Sequence, residues 1–124
     1  MKTWVSWFEI PVTDMGRAVK FYEGVYSVKM TPMEMGGQLM AFFPKESPSE
    51  GVSGALVKSA ESVPSTEGAL LYLNGGADLN SYLSKITTCG GKVLLSKTLI
   101  NEEIGYFALF IDTEGNKIAL YSPN

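Results

Sequence analysis

Residues 4–14 read Trp4-Val5-Ser6-Trp7-Phe8-Glu9-Ile10-Pro11-Val12-Thr13-Asp14, and this stretch decides the fold. Its first seven positions are rich in aromatic and β-branched side chains, which suit a strand, and Pro11 limits how far that strand continues. Thr13 or Asp14 then offers a helix N-cap. Behind it, Met15, Ala18, Val19, Tyr22 and Val25 recur at helical spacing and mark one inward face, with Gly24 near the end. Three strands are predicted next, over 27–31, 38–43 and 51–58, with Gly36-Gly37 turning the chain between the first two. Residues 45–50 read as a polar loop containing proline.

The same order then restarts. Residues 59–68 are rich in Ser, Pro and Glu and read as a linker. A strand over 69–74 follows. Leu79, Tyr82, Leu83 and Ile86 form a second helical stripe, which Gly90-Gly91 closes. Strands are predicted over 92–99, 106–111 and 117–121, with a turn at Asp112-Thr113-Glu114-Gly115-Asn116. A shift of 64 residues lays Trp7 on Leu71, Asp14 on Asp78, Val19 on Leu83, Tyr22 on Ile86 and Ala55 on Ala119. A constant offset at both ends of the unit predicts two tandem β-α-β-β-β modules, about 1–60 and 67–124, within one α+β domain over 1–124.

Composition narrows the function. A chain of 124 residues buries roughly 65–70% of its unfolded surface, enough for a core without metal or disulfide staples. Ten basic and thirteen acidic residues leave a charge of −3, and Arg17 is the single arginine. That balance argues against nucleic-acid binding, which needs a basic face. No apolar run approaches the ~20 residues of a membrane span, and the amino terminus has no signal-peptide pattern. One cysteine, Cys89, excludes an internal disulfide and fits a reducing, cytoplasmic setting. There is no histidine. Ser-His-Asp and Cys-His nucleophile systems and His-ligated metals are therefore excluded. Any general base must be a carboxylate, a lysine or a tyrosine.

Phe8-Glu9-Ile10-Pro11-Val12-Thr13-Asp14, followed by Ala18-Val19-Lys20-Phe21-Tyr22, resembles the opening of vicinal-oxygen-chelate proteins, the glyoxalase, bleomycin-resistance and extradiol-dioxygenase superfamily. Gly105-Tyr106-Phe107-Ala108-Leu109-Phe110 and the stretch from Asp112 to Tyr121 resemble its closing segment, and Gly90-Gly91-Lys92-Val93 fits the junction after the second helix. The resemblance covers nearly the whole chain. It implies curved mixed sheets forming an open, barrel-like cavity, and a homodimer. In the family's enzymes a divalent metal sits in the cavity. Its four ligand positions carry over to Trp7, Ala55, Leu71 and Ala119. None of these side chains suits a hard or borderline cation. The expectation is therefore no metal and no cofactor, and no metal-dependent glyoxalase I or dioxygenase activity.

Alternation along the strands predicts what lines the cavity. Glu9 falls beside Trp7, Lys117 and Tyr121 beside Ala119, Ser53 and Val57 beside Ala55, and Leu73 beside Leu71. Glu9 is the candidate catalytic or ligand-pairing residue: a counter-charge for a cationic ligand, a general base with a raised pKa, or a structural partner for a neighbouring donor. Trp7 either stacks on a planar or cationic ligand or fills the space a metal would take. Tyr121 offers a hydroxyl to a ligand or to water. Tyr106 and Phe43 are rim or packing residues, and Glu102-Glu103 form a loop near the cavity mouth or a solvated charged turn. Met30, Met33, Met35 and Met40 suit a mobile wall, an interface or core. The expected function is binding of a small molecule, cationic or aromatic. The alternative is a lyase or isomerase that uses Glu9 as base or an unplaced metal.

Overall fold

A computed structural model of the chain describes residues 3–47, 49 and 51–124. Positions 48 and 50 of the predicted loop, and the first two residues, lie outside the described set. The elements run β1 (Trp7–Pro11), α1 (Met15–Tyr26), β2 (Pro32–Met35), β3 (Gln38–Phe42), β4 (Ser53–Lys58), β5 (Leu71–Asn74), α2 (Asn80–Ile86), β6 (Lys92–Asn101), β7 (Gly105–Ile111) and β8 (Lys117–Ser122). They form two four-stranded sheets, ordered β1-β4-β3-β2 and β5-β8-β7-β6. In each, the first strand pairs parallel with the last and the others pair antiparallel. This is the predicted pair of β-α-β-β-β units, and the sheets curl without closing.

Local chemistry sets the element ends. The first strand begins at Trp7 rather than Trp4 because its partner β4 begins at Ser53, just after Gly51 turns the chain with φ 78°. Asp14 caps α1 by accepting the Arg17 N–H at 3.1 Å. No strand forms over 27–31. Ser27 takes left-handed backbone (φ 56°) and gives its N–H to the Glu23 carbonyl, while the Glu23 carboxylate takes the Met30 N–H at 2.8 Å. Those donors serve the helix end, so the strand is displaced to Pro32–Met35. Gly36 and Gly37, both at positive φ, close a two-residue hairpin between Met35 and Gln38.

One core joins the two units. Ile10, Phe21, Tyr22 and Leu56 of the first pack with Leu79, Ile86, Phe110 and Leu120 of the second, all buried on the helix side of the sheets. A polar lock crosses the same junction. The fully buried Tyr22 hydroxyl donates to Asp112 Oδ2 at 2.7 Å, and Asn116 Nδ2 donates to Asp112 and to the Pro11 carbonyl. Beside it, Glu114 accepts hydrogen bonds from the backbone N–H groups of Thr13 and Asp14 and pairs with Arg17 at 2.8 Å.

Burial alone would raise the Glu114 pKa. The hydrogen bond from Arg17 and those from the Asp14 and Thr13 backbone outweigh it and hold the carboxyl at about 2. A carboxylate depressed in the fold stabilises it above the unfolded pKa and loses that contribution as pH falls through the folded value. Stability should therefore decline between pH 4.5 and 2, the ordinary and folded values. Half of Arg17 is exposed, so solvent screens the pair. Glu114→Gln should cost about 1–3 kcal/mol at neutral pH. Urea melts of both proteins across this range check it; an unchanged acid slope in the variant would refute the assignment.

Candidate functional site

The first sheet has a face turned away from the helices, here termed its open face. Register places Trp7 opposite Ser53, Glu9 opposite Ala55 and Phe42 opposite Ala55 on the other side, so these side chains share that face. Met33 and Met35 join it through their pairing with Met40 and Gln38. Ala55, Val57 and Met40 form a small buried cluster there, separate from the main core. Above that cluster, Trp7 and Phe42 meet edge to face, with ring centroids 5.5 Å apart. They remain 42% and 37% exposed, so the aromatic pair has faces free for another molecule. The Trp7 indole N–H donates to Glu9 Oε2 at 3.3 Å. Glu9 is itself exposed. The expected burial of this carboxylate in an apolar strand is therefore corrected. Its carboxylate meets solvent and the Trp7 indole N–H.

The second sheet repeats this design with a slip of one residue. Gly54 and Ile118 are 64 positions apart, but their register partners Phe8 and Leu71 are 63 apart. Tyr72 therefore pairs with Ala119, and Leu71 and Leu73 share the opposite face with Ile118 and Leu120. The expected placement of Leu71 and Leu73 beside Ala119 is corrected: both turn toward the main core. The open face of this sheet carries Tyr72, Ala119, Tyr121, Phe107 and Leu109. Tyr72, missed by the repeat alignment, is 49% exposed, with its ring 6.4 Å from Phe107. Alternation counted from Ala119 through a parallel partner finds it, but only once the register is known.

The other candidates have contacts of their own. The Tyr121 hydroxyl donates to the Ile104 carbonyl, so its one proton is committed. Phe43 packs between Phe8 and Tyr22, with centroids 5.5 Å from each. Tyr106 lies against the core with the Lys97 ammonium 4.6 Å from its ring. Glu102 and Glu103 are exposed in the turn between β6 and β7. The methionines divide: Met30 is core, Met40 is in the open-face cluster, and Met33 and Met35 are exposed. Cys89 lies half-buried, with its sulfur close against Gly24 of the first helix.

The donor set does not fit a chelated divalent ion. Trp7, Ala55, Leu71 and Ala119 offer no carboxylate or imidazole. The correction from Leu71 to Tyr72 adds only a phenol to the face that holds Ala119. Among the described residues, no three of His, Cys, Asp and Glu are grouped to hold a metal. Nor, among them, is any helix long and apolar enough to cross a membrane.

Known proteins place this architecture. No family model matches the chain. A glyoxylase-like domain-containing protein from Didymella fabae is 33% identical over 122 residues, covering 94% of this chain and 91% of that one. The fold is similar to that of a glyoxalase I mutant from Zea mays, with a TM-score of 0.72 and 17% identity. That match covers 95% of this chain but 45% of the maize chain, so this chain spans less than half of it. An antibiotic binding protein from Streptomyces sp. CB03234 matches with a TM-score of 0.61 and 23% identity, covering 98% of this chain and 97% of that one. The sequence kinship along nearly the full length, joined to the paired β-α-β-β-β units, shows that the chain belongs to the glyoxylase-like domain family of the vicinal-oxygen-chelate superfamily.

Proposed function

We propose that this chain is a metal-free binder of a small aromatic molecule carrying a positive charge, held on the open face of the first sheet. The observation that carries the reading is the half-exposed Trp7–Phe42 pair beside the solvent-facing Glu9. An edge-to-face pair with a free ring face accepts a planar guest. A carboxylate next to it favours a cationic one. Met33 and Met35 extend the same face along β2 with adaptable apolar surface. The chain acts as a homodimer in this reading, since Trp7, Phe42, Met33, Met35 and Tyr72 leave large apolar side chains uncovered. The similarity in fold to an antibiotic binding protein is compatible with binding, as this fold also carries enzymes.

The test is calorimetric titration of the purified protein with ethidium, a planar cation. Trp7→Ala should weaken binding about three- to thirtyfold, the range of a cation–π contact in and out of water. Glu9→Gln should weaken it about tenfold at low salt and less as salt screens the charge. Equal affinity in parent and both variants would remove this face as the site.

A further inference from the structure

A cleft of about 550 Å³ lies between the two units, at the end where β1 begins and β5 ends. Phe8 and Phe43 form one wall, Leu71 and Leu73 the other, and Tyr26 lines it from the first helix. Trp4 and Val52 stand at the lip, and Trp4 is 93% exposed. Phe8, Leu71 and Leu73 turn toward the main core; Ser53 and Tyr72 reach the cleft from the open faces, but Trp7, Glu9 and Phe42 do not line it.

Its chemistry selects one class of occupant. None of the residues lining it carries a charge at neutral pH. Three of its hydroxyl hydrogens are already used, which leaves the Trp4 indole, the Tyr72 phenol and the Asn74 amide at its edge as neutral donors. Tyr26 donates its hydroxyl to the Asn74 carbonyl at 2.9 Å, Ser53 to the Phe43 carbonyl at 2.8 Å, and Thr3 to the Val5 carbonyl at 3.0 Å. Burial, with Tyr82 beside it, holds the Tyr26 phenol protonated far above its usual range, so no charge develops there. An ionic guest would lose its hydration and find no opposite charge. The other end of the same seam differs. A cleft of about 150 Å³ there is lined by Glu9, Glu67 and Lys117. Charge is thus segregated to one end and aromatic surface to the other. A volume of this size, with aromatic and aliphatic walls, falls within the range of drug-sized sites.

The geometry points to a second ligand site in this cleft, one that takes a neutral aromatic molecule between Phe8, Tyr26 and Leu73. It does not depend on the open-face reading. The probe is N-phenyl-1-naphthylamine, a neutral fluorophore that brightens on leaving water. Saturable brightening with one probe per chain is expected. Val52→Trp places an indole in the mouth and should weaken the probe about tenfold while leaving ethidium binding unchanged. A far-UV spectrum confirms that the variant folds. Independently of any variant, amide shifts in the parent protein on adding the probe should centre on Tyr26, Val28 and Leu73. Absence of saturable brightening overturns the site. So do shifts centred on Met40, Ala55 and Val57, which place the probe on the open face. An affinity that Val52→Trp does not change overturns it as well.

Discussion

Gly54→Ala is expected to lower folding stability by about 3–5 kcal/mol, near the upper end for a point substitution. Gly54 sits in β4 directly opposite Phe8 of β1. A Cβ there would lie 2.2 Å from the Phe8 carbonyl oxygen and 2.6 Å from its ring. The ring can swing aside at the cost of its packing on Phe43, but the carbonyl belongs to the strand backbone. Relief requires β1 to move away from β4, which strains the ladder that holds β1 in its sheet. Trp7 and Glu9 flank Phe8, so the same movement displaces the proposed ligand face. Gly36→Asn is the control. Unlike Gly54, that glycine has positive φ, but nothing lies within 4 Å of its Cβ position, and asparagine tolerates left-handed backbone. Urea unfolding should show a large loss for the first variant and less than about 1 kcal/mol for the second. Comparable losses in both would mean that the approach of β1 is not what constrains Gly54.

Asp112→Ala should cost a similar amount, about 3–5 kcal/mol, because it strips a buried charge from groups arranged around it. The carboxylate accepts from the Tyr22 hydroxyl at 2.7 Å, from Asn116 Nδ2 and N–H at 3.0 Å each, and from the Glu114 N–H at 2.9 Å. Removing it leaves these donors in a dry junction between the two units. Burial, reinforced by the charge of Asp112, holds the Tyr22 phenol protonated well above its usual range, so the tyrosine stays a donor. Tyr22→Phe removes one donor of several and should cost only about 1–2 kcal/mol. A double variant should lose less than the two single losses together, because the groups act on one another. Full additivity in that cycle would show that the hydroxyl and the carboxylate do not interact energetically.

Much of this architecture is legible in the residues. The helical stripes, the hairpin at Gly36-Gly37 and the turn at residues 112–116 depend on local periodicity and backbone freedom, which short sequence windows carry. The 64-residue offset carries the duplication. It misleads at β5, where the partners of Gly54 and Ile118 differ in spacing by one residue. A slip of one reverses every side chain on a strand, so Leu71 and Leu73 exchange faces with Tyr72. The predicted strand at 27–31 fails for a different reason. Its apolar residues fit a strand, but Glu23, one turn earlier, claims the donors of Ser27 and Met30. Exposure of Glu9 is likewise a tertiary property. The aromatic strand around it suggests burial, yet its face is turned away from the core and opens to solvent. The bond between Tyr22 and Asp112 spans 90 positions and has no local signature.

The central claim is that this member of the family binds its ligand without a chelated metal. A native mass spectrum of the full chain, taken after incubation with zinc or nickel and removal of excess ion, tests it most directly. The expected spectrum shows the mass of two chains with no stoichiometric ion, and added ethidium retained by the parent but lost in Trp7→Ala. A mass raised by one divalent ion per chain, and returned to the bare value by Glu9→Gln, would contradict it.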